Sequence, residues 1–178
     1  MKNKELLNLL PIETKRLIIK NTSLEDVDLL LKMDKQEETQ KYLGGIKNKT
    51  KEERLEFLQR KVDKINNGIA SSLTVLLKET QIPIAFVGLK ISEEDNTAEI
   101  SYIFDYDYTK KGYCTEIVKK LLEISFEKLE LTKVWADTIV GNDSSKKVLE
   151  KLEFTKTKER IENNITFEIY ELINKNLQ

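Results

Sequence analysis

Three short β-forming stretches and one amphipathic helix follow each other in the middle of the chain, and this order constrains the fold most. The stretches are SSLTVLLKE (71–79), IPIAFVGLKI (82–91) and TAEISYIFD (97–105), separated by turn-forming residues. Apolar residues then recur at helical spacing and predict a helix from about Tyr113 to Leu129. KVWADTIV (133–140) follows as another strand. This arrangement favours a mixed sheet with helices packed on it.

The flanking segments complete a single α+β domain. IETKRLIIKNT (12–22) predicts a first strand, and TKTKERI (155–161) and ITFEIYELI (165–173) predict a closing hairpin. Helix starts are expected where Ser23 precedes Asp26, where Thr50 precedes Glu53, and where Asn142 caps NDSSKKVLEKLEF. The predicted order is β-α-α-β-β-β-α-β-α-β-β across residues 1–178, with residues 1–11 as an N-terminal extension.

What the chain lacks excludes several functional classes. It has no histidine and a single cysteine, Cys114, which rules out Ser-His-Asp and Cys-His catalysis, intrachain disulfides and zinc sites of the His/Cys type. The net charge of −1 argues against a nucleic-acid partner. No apolar run approaches the roughly 20 residues that cross a bilayer. We therefore expect a cytoplasmic protein without a metal or membrane partner, as a monomer or homodimer.

The loop YTKKGYCTE (108–116) joins the third predicted strand of the middle region to the amphipathic helix. A helix N-terminus offers unpaired N–H groups and the positive end of a dipole, so it can bind a phosphate. Gly112 would let the backbone approach such a ligand, and Lys110 and Lys111 add positive charge. An ordinary loop with solvated lysines fits the same residues.

The segment AEISYIFDYDYTKKGYCTEIVKKLLEISFEKLELTKVWADTIVGNDSSKKVLEKLEF (98–154) resembles the core of the GNAT superfamily of acyl-CoA-dependent N-acetyltransferases. It is most similar to the Rim-type branch, which acetylates the N-termini of ribosomal proteins, and the resemblance spans about residues 12–172. The phosphate signature of the family falls on Thr109, Gly112 and Cys114. This chain departs from the usual pattern at Thr109, at Lys110 and at Glu153, the last two in glycine positions.

The resemblance implies that acetyl-CoA is the cosubstrate and assigns residues to it. Its pyrophosphate would bind backbone N–H groups of Lys111, Gly112, Tyr113, Cys114 and Thr115, with Lys110 available to a coenzyme A phosphate. Its pantetheine arm would lie along the strand at Ile103, Phe104 and Asp105. Asn142 would hold the cofactor, cap its own helix, or do both.

Two residues are candidates for proton transfer. The attacking amine must lose a proton and the departing thiolate must gain one. Glu99, on the strand face that carries Ser101 and opposite Ile100 and Tyr102, is the candidate base; a structural or substrate-orienting carboxylate is the alternative. Ser145 is the candidate donor to the leaving thiolate or its neighbourhood. The alternative is that it is an ordinary polar residue in the first turn of its helix, without a catalytic role.

Cys114 lies near a helix N-terminus beside two lysines, a setting that lowers a thiol pKa. The family has a small residue at this position and the chain has no histidine to relay a proton, so we expect a spacer rather than a nucleophile. The expected function is acetyl transfer to a primary amine, either a protein N-terminus or a small amine, in a ternary complex. The alternative is an acyl-CoA-binding or interaction module with the same fold but without turnover.

Overall fold

The computed structural model describes residues 1–70 and 72–177; Ser71, where one predicted strand begins, and Gln178 lie outside them. The strands of this described part are β1 Ile12–Glu13, β2 Leu17–Asn21, β3 Leu73–Leu77, β4 Pro83–Ser92, β5 Thr97–Phe104, β6 Lys133–Ile139, β7 Thr155–Glu162 and β8 Ile165–Ile173. These eight strands form one sheet in the order β1-β2-β3-β4-β5-β6-β8-β7. The helices are α1 Lys2–Asn8, α2 Val27–Asp34, α3 Glu37–Gln40, α4 Lys51–Asn66, α5 Tyr113–Glu123 and α6 Asp143–Lys151.

The predicted fold class is confirmed, and the sheet is mixed as expected. β5 and β6 are parallel, and the other neighbouring pairs are antiparallel. A parallel pair needs a crossover connection, and α5 supplies it. The sheet is therefore antiparallel on both sides of one central parallel pair.

Helices cover the two faces of the sheet unequally. The main core joins Leu6 of α1, Leu121 of α5 and Leu149 of α6 to alternate residues of the strands, among them Ile100. A smaller cluster on the opposite face joins Leu29 and Met33 of α2 to Phe86 of β4, with Ile103 of β5 packed against it. Successive residues of β5 thus face different helices, as the period of two requires.

The N-terminal region differs from the sequence-based expectation. The single strand predicted over residues 12–22 is two strands, because Thr14 N donates to Leu17 O and Leu17 N donates to Thr14 Oγ1, which turns the chain between β1 and β2. Residues 2–8, taken as part of an extension, form α1, and its Leu6 is fully buried in the main core. The one sequence signal for this packing is the leucine-rich pattern before Pro11.

The predicted helix starts are present with their caps. Ser23 and Asp26 form a capping box at the short 3-10 turn before α2, and Thr50 and Glu53 form one on α4. The helix predicted to Leu129 is α-helical only to Glu123 and continues as a π-helical turn over Ile124–Lys128. The buried hydroxyl of Ser125 donates to Leu121 O at 2.7 Å. Such a side-chain bond competes with the backbone N–H groups for the carbonyl four residues earlier in the helix. Within the described residues, no helix is both long and apolar enough to cross a membrane.

Candidate active site

β5 and β6 run side by side for three residues and then diverge. Their backbones pair at Thr97–Glu99 and Lys133–Trp135, whereas each strand stays paired with its other neighbour along its length. The facing strand edges beyond Glu99 and Trp135 can therefore hydrogen-bond an extended ligand. A cleft of about 810 Å³ occupies this divergence, lined by residues 100–104 of β5 and 136–139 of β6.

The cleft extends from the diverging strands to the loop before α5 and to the N-terminus of that helix. Lys110 and Gly112 have left-handed backbone angles, with φ of +59° and +79°. A Cβ on Gly112 would lie 3.4 Å from Arg16 Nη2, an ordinary contact, so the backbone angle rather than lack of space favours glycine there. Residues 112–115 line the cleft, and the first N–H groups of α5 have no partner within the helix. This geometry suits an anion.

A half-buried carboxylate fastens the start of α5 to the β1–β2 turn. Glu116 Oε1 accepts from Thr14 Oγ1 at 2.6 Å and from Arg16 N at 2.9 Å, and Glu116 Oε2 accepts from Arg16 Nε at 2.7 Å. Burial by itself would raise the pKa of Glu116, but these hydrogen bonds together hold it below its usual value. Arg16 also donates to Lys111 O at 3.0 Å and stacks over the Tyr113 ring at 4.4 Å. The loop is thus positioned from outside the helix.

Tyr102 and Ser145 meet on the α6 side of the cleft. The Tyr102 hydroxyl lies 2.9 Å from Ser145 Oγ, and both residues line the cleft. Burial is the main cause that raises the pKa of Tyr102, and the nearby Cys114 adds to it. The hydrogen bond with Ser145 lowers the pKa by less, so the net shift is upward. The phenol therefore stays protonated and can donate a proton or a hydrogen bond. Sequence reasoning gave Tyr102 no role, because only the fold brings together residues 43 positions apart.

Cys114 lines the same cleft. Burial raises the pKa of its thiol to about 12, opposite to the direction suggested by its position near a helix N-terminus and two lysines. The thiolate is therefore scarce at neutral pH, which disfavours nucleophilic attack.

Thr138 offers an independent indication of a polar ligand in the cleft. This residue is buried, with 5 % relative exposure, and Thr138 Oγ1 has no hydrogen-bond partner among the described residues. An unpaired buried hydroxyl costs free energy, so a partner is expected. Thr138 lines the same cleft as the N-terminus of α5. A ligand that carries hydrogen-bonding groups for this hydroxyl and an anion for the helix therefore fits the residues present.

Most of the residues predicted for the site line the cleft together. They are Ile103, Phe104, Lys110, Gly112, Tyr113, Cys114, Thr115, Asn142 and Ser145. Asn142 also caps α6, since its Oδ1 accepts from Ser145 N at 3.4 Å. Their roles toward a cofactor stay predictions.

Three predicted residues lie outside this lining. Asp105 is buried and accepts from Lys32 at 2.6 Å and from Gln36 at 2.7 Å. Burial would raise the pKa of Asp105, but these bonds hold it below its usual value, so its side chain is an anchor. The Lys111 side chain donates to Asp107 O at 2.9 Å.

Glu99 is the third. It lies at the last paired position of β5, where Glu99 Oε2 is 3.8 Å from Lys90 Nζ. It shares a strand face with Ser101, which does line the cleft. Its role as a base stays a prediction.

Metal chemistry has no visible site in the described part of the chain. Among residues 1–70 and 72–177, no group of three or more His, Cys, Asp or Glu side chains could hold an ion.

Comparison with known proteins agrees with this geometry. Residues 16–155 match the family model described as an acetyltransferase (GNAT) domain. The N-acetyltransferase p20 of Bacillus licheniformis is 30 % identical over 144 residues, covering 80 % of this chain and 81 % of that protein.

Two solved structures show the same fold at low sequence identity. Ribosomal-protein-S5-alanine acetyltransferase from Vibrio fischeri superposes with a TM-score of 0.72 and 19 % identity, covering 94 % of this chain and 98 % of that one. Spermidine N-acetyltransferase from Vibrio cholerae, in complex with CoA and spermine, gives a TM-score of 0.77 and 17 % identity, covering 93 % and 100 %. The family match covers more than half of the chain, which therefore belongs to the GNAT family of N-acetyltransferases.

Proposed function

We propose that this protein transfers an acetyl group from acetyl-CoA to a primary amine by direct attack in a ternary complex. The observation that carries the proposal is the divergence of β5 and β6, which joins a helix N-terminus to the Tyr102–Ser145 pair within one cleft. Acetyl-CoA would supply an activated acyl group as a thioester. The protein would bind this thioester, accept a proton from the amine, and supply a proton or hydrogen bond to the departing thiolate.

Binding would use backbone groups first. The N–H groups of residues 111–115 would bind the pyrophosphate, and Lys110, which lines the cleft, would reach a phosphate. The free edge of β5 at Ile103 and Phe104 would pair with the pantetheine amides, and Thr138 Oγ1 would gain a partner there.

In the transfer, a C–N bond forms and the C–S bond breaks. The amine proton would pass to Glu99, directly or through water, while the departing thiolate would take a proton or hydrogen bond from Tyr102 or Ser145. Tyr102 suits the hydrogen-bonding part of this role, because its raised pKa keeps the phenol protonated beside the departing thiolate.

Relatives act on different amines, as their names state: a ribosomal-protein alanine in one case and spermidine in another. For this chain, a peptide N-terminus and a small amine are both candidate acceptors. The departures at Thr109 and at Glu153, whose φ is +65°, also fit a module that binds acyl-CoA without turnover.

The test measures binding and transfer separately. Millimolar acetyl-CoA should raise the melting temperature, since a ligand at 100 times its Kd adds about 2.7 kcal/mol. Gly112→Asp should abolish the shift by placing a carboxylate in the anion site, whereas Gly112→Asn has the same shape without the charge and should retain much of it. No shift in the wild type would refute the proposal.

Thiol release from acetyl-CoA should then be followed with peptides that begin with serine or alanine and with spermidine. Transfer to any of these amines supports the enzyme, and Tyr102→Phe should slow it. A thermal shift without transfer to any amine would favour the binding module instead.

A further inference from the structure

The two faces of the sheet have different chemistry at the point where β5 and β6 diverge. Tyr102 and Ser145 meet on the face covered by α5 and α6, where Ala136 also packs in the main core. The period of two places Ser101 and Asp137 on the opposite face. A thiolate that departs toward Tyr102 leaves this opposite face for the amine to approach.

Among the described residues, the cleft is lined by two carboxylates, Asp137 and Glu38, and Asp137 is the better placed because Glu38 lies on the exposed surface of α3. Asp137 lies two residues beyond Trp135, and Ser101 lies two residues beyond its partner Glu99. Asp137 therefore lies at the start of the divergence, and its side chain is 27 % exposed. A carboxylate there is accessible but partly desolvated, which strengthens its attraction for a cation.

Arg160 holds one oxygen of this carboxylate. Its Nη2 lies 2.7 Å from Asp137 Oδ2, while Nη1 lies 3.2 Å from Glu162, and the guanidinium stacks over the Phe167 ring at 4.9 Å. Within residues 1–70 and 72–177, Asp137 Oδ1 has no such partner. One arginine is shared between two carboxylates, so the cluster keeps a net charge of −1.

We propose that Asp137 binds the ammonium group of the acceptor through Oδ1, with Arg160 as the positioning residue that fixes the carboxylate. This inference rests on the proposed transfer reaction. It specifies acceptors that carry a positive charge when they enter the cleft. They would enter from the face of the sheet on which Asp137 and Trp135 both lie. An ammonium–carboxylate contact is a charge-assisted hydrogen bond, and its loss corresponds to about 10- to 100-fold in binding.

Trp135 is the only tryptophan of the chain, so its fluorescence reports on this face without turnover. The experiment titrates spermidine and the seryl and alanyl peptides into protein saturated with coenzyme A. A saturable change is expected in the wild type, with affinity lowered about 10- to 100-fold in Asp137→Asn. Glu162→Gln is the matched control, because it removes a carboxylate from the same arginine outside the cleft, and it should lose less affinity than Asp137→Asn.

Steady-state rates give a second measurement. Asp137→Asn should lose about 10- to 100-fold in kcat/KM for the amine and leave the KM for acetyl-CoA unchanged, and Asp137→Glu should recover part of the loss. Arg160→Gln keeps the carboxylate and should lose less than Asp137→Asn. Absence of a saturable signal in the wild type, or equal losses in Asp137→Asn and Glu162→Gln, would overturn the inference. The acetyl-CoA thermal shift of each variant shows separately whether cofactor binding has failed.

Discussion

Glu99 and Cys114 both lie at or near the cleft. The sequence predicts a catalytic base at Glu99 and a spacer, rather than a nucleophile, at Cys114. Glu99 shares a strand face with Ser101 but ends the paired part of β5, and Cys114 lines the cleft itself. Their positions lead to opposite expectations on substitution.

If Glu99 accepts the amine proton, Glu99→Gln should lower kcat by about 10²–10⁴-fold, the usual contribution of a general base. Acetyl-CoA binding should change far less, because Glu99 lies outside the lining of the cleft. Steady-state kinetics and the acetyl-CoA thermal shift measure the two effects. A loss of less than about threefold would make Glu99 a structural carboxylate.

Cys114→Ala should keep most of the activity, and kinetics should indicate a ternary complex rather than a ping-pong mechanism. The wild-type thiol should react slowly with iodoacetamide at pH 8, since burial raises its pKa to about 12 and little thiolate is present. Bound coenzyme should slow the reaction further. An acetylated Cys114 peptide in a mass spectrum, together with an inactive but folded Cys114→Ala, would contradict this prediction.

Glu153 ends α6 in a left-handed conformation, with φ of +65°. Glycine adopts this conformation without steric cost, so Glu153→Gly should raise the free energy of unfolding by about 1 kcal/mol. The ion pair with Lys175, 3.7 Å apart and largely exposed, contributes little. Urea denaturation measures the gain. Glu153→Ala removes the same charge but keeps a Cβ, and an equal gain in that control would assign the effect to charge.

The position of α5 depends on contacts outside the helix. Its first turn is joined to the β1–β2 turn through Glu116, Thr14 and Arg16, and its last residues continue into a π-helical turn. The orientation of its N-terminus toward the cleft therefore depends on a segment about 100 residues away in the chain.

Glu116→Gln should lower the free energy of unfolding by about 1–2 kcal/mol at pH 7, because an amide cannot accept all the hydrogen bonds that the carboxylate accepts. The folded protein lowers the pKa of Glu116 below its ordinary value of 4.5. Its stabilisation is thus present above about pH 4.5 and is lost as the pH falls through the lower, folded-state pKa.

Urea denaturation at pH 7 and near pH 3 would measure this dependence. The difference between wild type and Glu116→Gln should shrink in acid. Glu123→Gln is the control on the same helix, because Glu123 makes an exposed pair with Lys120 at 3.2 Å and should cost less than about 0.5 kcal/mol. A difference for Glu116→Gln that persists undiminished at low pH would refute the assignment.

In the whole molecule, one central sheet carries the cleft as a gap between neighbouring strands. β5 and β6 belong to the same sheet yet share only three paired positions. A ligand that fills the gap would restore backbone hydrogen bonds there and connect the two halves of the sheet.

Acetyl-CoA should therefore slow amide hydrogen exchange in peptides that cover residues 100–104 and 111–115. Peptides from the distant hairpin of β7 and β8 near Asn163 should be unchanged, since that turn contributes nothing to the cleft lining. Mass spectrometry of exchanged peptides measures both. Protection spread evenly over the sheet, or none near the cleft, would place the ligand elsewhere.

The local features of this fold could be read from the chain because they depend on nearby residues. Capping boxes at Ser23 and Thr50, the Asn163–Asn164 turn with φ of +50° and +62°, and the strand–loop–helix order around Gly112 are short-range consequences of side-chain chemistry. The same applies to the left-handed position of Glu153, which follows from where its helix must end.

Tertiary structure decided what depends on distant partners. Burial in the cleft, rather than the neighbouring lysines, sets the pKa of Cys114. Packing brings Ser145 to Tyr102 and Arg160 to Asp137. It also buries Leu6 in a core formed largely by residues far from it in the chain. A sequence pattern fixes the face on which a side chain lies, but burial and long-range contacts arise only when the elements pack, and they determine what that side chain can do.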